Sequence, residues 1–107
     1  MPTTQELFTA LQERLETNPE RTVGLTATYQ FNIEGDGGGV WHLIVDDGRT
    51  EVAEGPAESA DMTSIMSVDD YVAMATGEAS GRDLFFSGRM RVEGNPMLGM
   101  RLGELLN

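Results

Sequence analysis

The chain contains no cysteine and no lysine, and only one histidine and one tryptophan. Without cysteine there is no disulfide framework, zinc–thiolate site, iron–sulfur cluster or thiol nucleophile. The single histidine, His42, excludes a multi-histidine metal centre and leaves any Ser-His-Asp chemistry resting on one side chain. No metal and no cofactor is expected. Cations are scarce: seven arginines stand against 18 acidic residues, a formal net charge of −11. Nucleic acids and anionic membranes both recruit cationic side chains, so this balance argues against nucleic-acid binding and against tight docking to anionic bilayers. Long apolar runs are missing too, and no stretch approaches the roughly 20 residues of a membrane-spanning helix. Residues 2–18 are polar and acidic, unlike a signal peptide, and Leu105-Leu106-Asn107 is no peroxisomal or lipidation signal. The expected location is cytoplasmic.

What is present fits one domain over residues 1–107. Area scaling for 11.6 kDa gives roughly 5,800 Å² of folded surface against about 16,800 Å² unfolded, enough burial for a core without staples. The acids run from Glu6 to Glu104 rather than forming a tail. Such a surface keeps a chain soluble at high salt and repels itself at low salt. It reads either as a halophile-like composition or as an ordinary acidic protein.

Residues 3–18 have the pattern of an amphipathic helix, with Thr3-x-x-Glu6 at capping-box spacing and Leu7, Phe8, Leu11 and Leu15 on one side. Asn18-Pro19 ends it. Residues 26–34 alternate as a strand, with Ala27, Tyr29, Phe31 and Ile33 on its dry face. Gly35–Gly39 forms a turn, and Val40–Val45 returns with apolar groups on both faces, as an interior or partly covered strand would. Asp46-Asp47-Gly48 turns the chain into a short strand around Thr50–Glu54. Met62–Met66 makes a fourth strand, and Ser67-x-x-Asp70 opens a helix through about Thr76 with Gly77 as its C-terminal cap. Residues 81–87 read as a loop or one helical turn. Gly88–Glu93 alternates with Met90 and Val92 inward, and Asn95-Pro96 starts a last helix. The order helix, four strands, helix, strand, helix implies an α+β domain with one antiparallel-rich sheet covered on one face.

Few constellations carry chemistry. The Gly35–Gly39 cluster joins two strands and has no lysine, so it is a hairpin turn rather than a phosphate loop. His42 has no partner that spacing identifies and reads as a solvent-facing or hydrogen-bonded sheet histidine. Asp46/Asp47 lie in a turn and Asp69/Asp70 in a helix's first turn, where acids meet the helix dipole favourably. Gly99-x-x-x-Gly103 either allows close packing or loosens the last helix. Beyond Met1, every methionine falls after residue 61: Met62, Met66, Met74, Met90, Met97 and Met100. With Phe85 and Phe86 these soft side chains either fill an irregular core or line a pocket for varied apolar ligands.

Three ordered patterns then suggest a family. Phe31-x-Ile33, followed by Trp41-x-Leu43-x-Val45-Asp46-x-Gly48, resembles the first hairpin of the sterol carrier protein type 2 family of lipid-binding domains. Ala60-Asp61-Met62-Thr63-Ser64-Ile65-Met66-Ser67, running into Asp69-Asp70-Tyr71, resembles its strand-to-helix junction. Phe86-x-Gly88-Arg89-Met90-Arg91-Val92-Glu93-Gly94-Asn95 resembles its last strand and the entry to its C-terminal helix. The resemblance implies a five-stranded, largely antiparallel sheet with helices on one face, enclosing an apolar tunnel. By position, the tunnel walls would be Phe31, Ile33, Trp41 and Leu43 from the hairpin, and Met66, Tyr71 and Met74 from the central helix region. Phe85, Phe86, Met90 and Val92 would follow, with Met97, Met100 and Leu105 from the last helix.

The implied function is that of a non-enzymatic carrier of a sterol, fatty acid, acyl-CoA or isoprenoid. The alternative is an interaction module whose apolar groove accepts a partner enzyme or a second copy of the chain. If the acidic surface is halophile-like, the protein should unfold at low ionic strength and recover in molar salt. Thermal melts indifferent to salt would assign it to ordinary acidic proteins.

Overall fold

The computed structural model describes residues 3–106, without the side chains of Met100, Gly103, Glu104 and Leu106. Helix α1 spans Thr4–Thr17, and a short 3-10 turn covers Pro19–Arg21. Strands β1 (Thr26–Glu34), β2 (Gly39–Asp46), β3 (Arg49–Glu54) and β4 (Met62–Ser67) follow. Helices α2 (Val68–Ala75) and α3 (Gly81–Phe86), strand β5 (Met90–Gly94) and helix α4 (Pro96–Leu106) complete the chain. The local chemistry is as the sequence implies at three helix starts. Thr3 accepts from the Glu6 N–H, Ser67 accepts from the Asp70 N–H, and the Asn95 side chain accepts from the Met97 N–H. Of the two readings open for residues 81–87, a loop or one helical turn, the helical one holds, over residues 81–86. Ser80 caps it by accepting from the Asp83 N–H at 3.0 Å, the same box as Ser67-x-x-Asp70.

The five strands form one sheet in the order β3-β2-β1-β4-β5. All neighbours are antiparallel except β1 and β4, which run parallel. The β2–β3 hairpin turns at Asp47 and Gly48, both at positive φ, as a two-residue turn of this hand requires. In the β1–β2 turn, a Cβ on Gly38 would stand 2.2 Å from the Ile33 carbonyl oxygen, so no other residue fits there.

Because β3 and β4 run the same way but lie three places apart, residues 55–61 must cross the sheet. They cross the face opposite the helices. Ala57 N–H donates to Gln30 Oε1 at 3.0 Å, and His42 Nδ1 lies 2.8 Å from the Gly55 carbonyl. A carbonyl can only accept, so the Nδ1–H donates. His42 is therefore the hydrogen-bonded sheet histidine that its position implied, and it pins the crossover. The same segment runs beside Val40 and His42 of β2, whereas Ile44 on that outer face stays exposed.

The helix-covered face holds the core. Phe8, fully buried on α1, stacks between Trp41 and Tyr71 with ring centroids 4.8 Å from each, and meets Phe31 edge-on at 5.2 Å. One side chain thus joins α1, the sheet and α2. Gln12 of α1 reaches the sheet edge: its amide accepts from the Val52 N–H and donates to the Thr50 carbonyl. Both groups point outward from β3, so Gln12 occupies an edge that could otherwise pair with another strand. Accessible surface totals 6043 Å², near the area-scaling expectation of roughly 5,800 Å².

Phe8→Ala should lower unfolding free energy by about 3–5 kcal/mol, since it leaves a cavity at the meeting point of three rings. Urea denaturation measures this, and a loss below about 1 kcal/mol would show that the stack contributes little.

Candidate functional site

The sheet face beneath the helices divides into two halves. Over β3, β2 and β1 it is closed. Phe31, Ile33, Trp41 and Leu43 are buried there, and Phe8 fills the space between the rings. Over β4 and β5 the covering elements are shorter: α3 packs on β5, and α4 on β4 and β5. Between them lies an apolar groove of about 540 Å³, lined by Gly81, Arg82, Phe85, Phe86, Met90, Val92, Pro96 and Gly99.

The residues expected to line a tunnel fall into distinct places. Phe85, Phe86, Met90 and Val92 line the groove. Met66, Tyr71, Met74 and Leu105 are buried in the core cluster beside it, with Phe31, Ile33, Trp41 and Leu43. Met97 is 69 % exposed at the start of α4. The side chain of Met100 lies outside the described residues. Four lining positions were not among the expected ones: Gly81, Arg82, Pro96 and Gly99. The glycines had a legible signal. A glycine inside a helix costs about 1 kcal/mol relative to alanine, and at Gly99 the missing side chain leaves groove volume open. A Cβ there would only just touch Met62 Sδ at 3.6 Å.

Two local devices hold the groove's frame. Gly81 lets α3 sit against α2, where a Cβ would press on Met74 Sδ at 3.3 Å. Asp70, buried on α2, accepts from the exposed guanidinium of Arg89 just before β5. That pair ties α2 to the strand forming the groove floor, and the sequence reading of Asp70 as a helix-start acid did not anticipate it.

Polar groups inside are few. Ser64 on β4 is fully buried between Phe31 and Val92 in the strand register, and its hydroxyl has no hydrogen-bond partner among the described residues. The Tyr71 hydroxyl is likewise buried without one. Burial raises the Tyr71 phenol well above its ordinary value, and the nearby Arg14 charge offsets only part of this. No group of three or more His, Cys, Asp or Glu side chains suited to a metal occurs among the described residues. No helix among them is long and apolar enough to cross a membrane.

The Tyr71 phenol sets an alkaline limit. Unfolded tyrosine ionises near pH 10, whereas the buried phenol keeps its proton. Above that pH the unfolded chain holds fewer protons than the native one, so stability falls as pH rises. Tyr71→Phe should shift the alkaline unfolding midpoint upward and leave stability at pH 7 equal or slightly higher, because it removes an unpartnered hydroxyl. An unmoved midpoint by circular dichroism would contradict this.

Comparison with known proteins agrees with the geometry. Residues 8–107 match the SCP-2 sterol transfer family. Hydroxysteroid dehydrogenase-like protein 2 of Bos taurus is 35 % identical over 82 residues, 76 % of this chain and 20 % of that protein. The chain thus spans about a fifth of that relative's length. Among solved structures, the sterol carrier protein domain 2 of Helicoverpa armigera matches 92 % of this chain and 81 % of its own, at a TM-score of 0.74 and 25 % identity. Palmitated SCP2L2 of Aedes aegypti has a TM-score of 0.80 over 99 % of this chain and 96 % of its own, and at 21 % identity it speaks to the fold. On the extent of the family match, which takes in residues 8–107, the chain belongs to the SCP-2 sterol transfer family.

Proposed function

We propose that the chain is a non-catalytic carrier that holds the apolar part of a sterol, fatty acyl, acyl-CoA or isoprenoid ligand in the groove between α3, β5 and α4. The observation that carries this reading is the groove itself: about 540 Å³, walled by Phe85, Phe86, Met90 and Val92. That volume lies inside the roughly 300–1,000 Å³ range of small-molecule sites. Each methylene taken from water contributes about 0.8 kcal/mol, so a chain of moderate length suffices for tight binding without covalent chemistry. His42 argues in the same direction, since it is engaged with the crossover on the opposite face of the sheet from the groove.

A second reading rests on the rim. Phe86 and Met97 are 73 % and 69 % exposed, and Phe85 is 46 % exposed. Such a patch also suits a partner enzyme or a second copy of the chain.

Native mass spectrometry with organic extraction separates the two. A co-purifying lipid at near one per monomer supports the carrier, and a ligand-free dimer supports the module. Phe86→Asp should reduce fluorescent fatty-acid uptake at least tenfold while the protein stays folded, because Phe86 is already largely exposed. Full uptake by this variant would remove the groove as the binding site.

A further inference from the structure

Among the described residues, the groove has one charged residue in its wall. Arg82 lines it beside Phe86, and its guanidinium sits 5.7 Å from the centre of the Phe86 ring. Arg82 takes part in neither the Arg89–Asp70 nor the Arg91–Glu34 ion pair. Those two arginines are also placed elsewhere. Arg91 shares register with Ile65, on the face of the sheet away from the helices, and Arg89 is held on α2 by Asp70. The guanidinium lining the groove thus stands over an aromatic ring rather than in either of these ion pairs, in a chain where acids outnumber cations 18 to 7.

From this placement we infer that Arg82 is the head-group contact of the groove, and that it selects amphiphiles ending in an anion, a carboxylate or a phosphate, over neutral alcohols and sterols. The inference rests on the carrier reading above. A planar guanidinium presents paired N–H donors that match two oxygens of either anion. Seated on the Phe86 ring, it loses little freedom in doing so, and the apolar wall strengthens the attraction relative to open water. A neutral hydroxyl would accept one bond and leave the charge unmatched. The net charge of −11 repels anions from the rest of the surface, so a cation lining the groove weighs heavily in whether an anionic amphiphile is held.

The test compares dodecanoate, dodecyl phosphate and dodecanol by displacement of a bound fluorescent probe, in wild type, Arg82→Gln and Arg82→Lys. Wild type should bind at least one of the two anions about tenfold more tightly than the alcohol. Arg82→Gln should bring that ratio to near one, and Arg82→Lys should restore part of it. Loss of preference for both anions identifies shared anion recognition, and loss for the phosphate alone identifies a lipid phosphate as the source. An unchanged ratio in Arg82→Gln overturns the assignment. So does a wild type that binds the alcohol as well as either anion, an outcome that leaves the carrier reading standing. A wild type that binds none of the three overturns both.

Discussion

The stack of Phe8 between Trp41 and Tyr71 is the interaction on which the arrangement depends. Trp41 comes from β2, Tyr71 from α2 and Phe8 from α1, three elements far apart in sequence, and their rings meet at 4.8 Å. Flat stacking at that spacing fixes both the height and the rotation of α1 over the sheet. With α1 so placed, Gln12 reaches the outer groups of Thr50 and Val52 and covers the β3 edge. The β3–β2–β1 half of the sheet is thereby closed by aromatic packing. The apolar groove of about 540 Å³ lies beside this closed half, over β4 and β5.

That second half is assembled differently. α3 has six residues, and α4 contains Gly99 in its first turns, where the groove is lined by glycine. The floor beneath them is Met90 and Val92, and on β4 the small Ser64 stands between Phe31 and Val92 in the register. The frame is nonetheless anchored, by Asp70 with Arg89 on one side and by the close approach of Gly81 to Met74 on the other. A closed half beside a groove with apolar walls suits the proposed carrier. Methionine's flexible thioether suits the boundary between the two, and Met66, Met74 and Met90 lie along it.

Much of the fold was legible because it depends on local chemistry. The period-two alternation from Ala27 to Ile33, the caps at Thr3, Ser67 and Asn95, and the Asp47-Gly48 turn each specify structure within a few residues. Ser80-x-x-Asp83 carries the same signal, in a stretch that a glycine and a short apolar run leave open to a loop as well. Inward-facing positions were legible as well. Whether the space between two inward residues is filled was not, because that depends on a third side chain brought in by tertiary packing. Trp41 and Tyr71 face each other across the ring of Phe8, a residue whose helical spacing marks it only as buried. The parallel pairing of β1 with β4, the crossover pinned by His42 and Gln30, and the contact of Arg89 with Asp70 are likewise products of long-range topology. Arg82 resembles any exposed helical arginine until the groove is built beside it.

The central claim is that this family fold divides into a filled aromatic half and a ligand-accepting half. An amide NMR titration with a saturated fatty acid tests it most directly. The account predicts that the resonances that move are those of Phe85, Phe86, Val92 and Gly99, while the Trp41 indole signal stays where it is. Shifts centred on Phe8, Trp41 and Tyr71, with the groove resonances unmoved, would contradict it, because the ligand would then be entering the half that the stack is held to close.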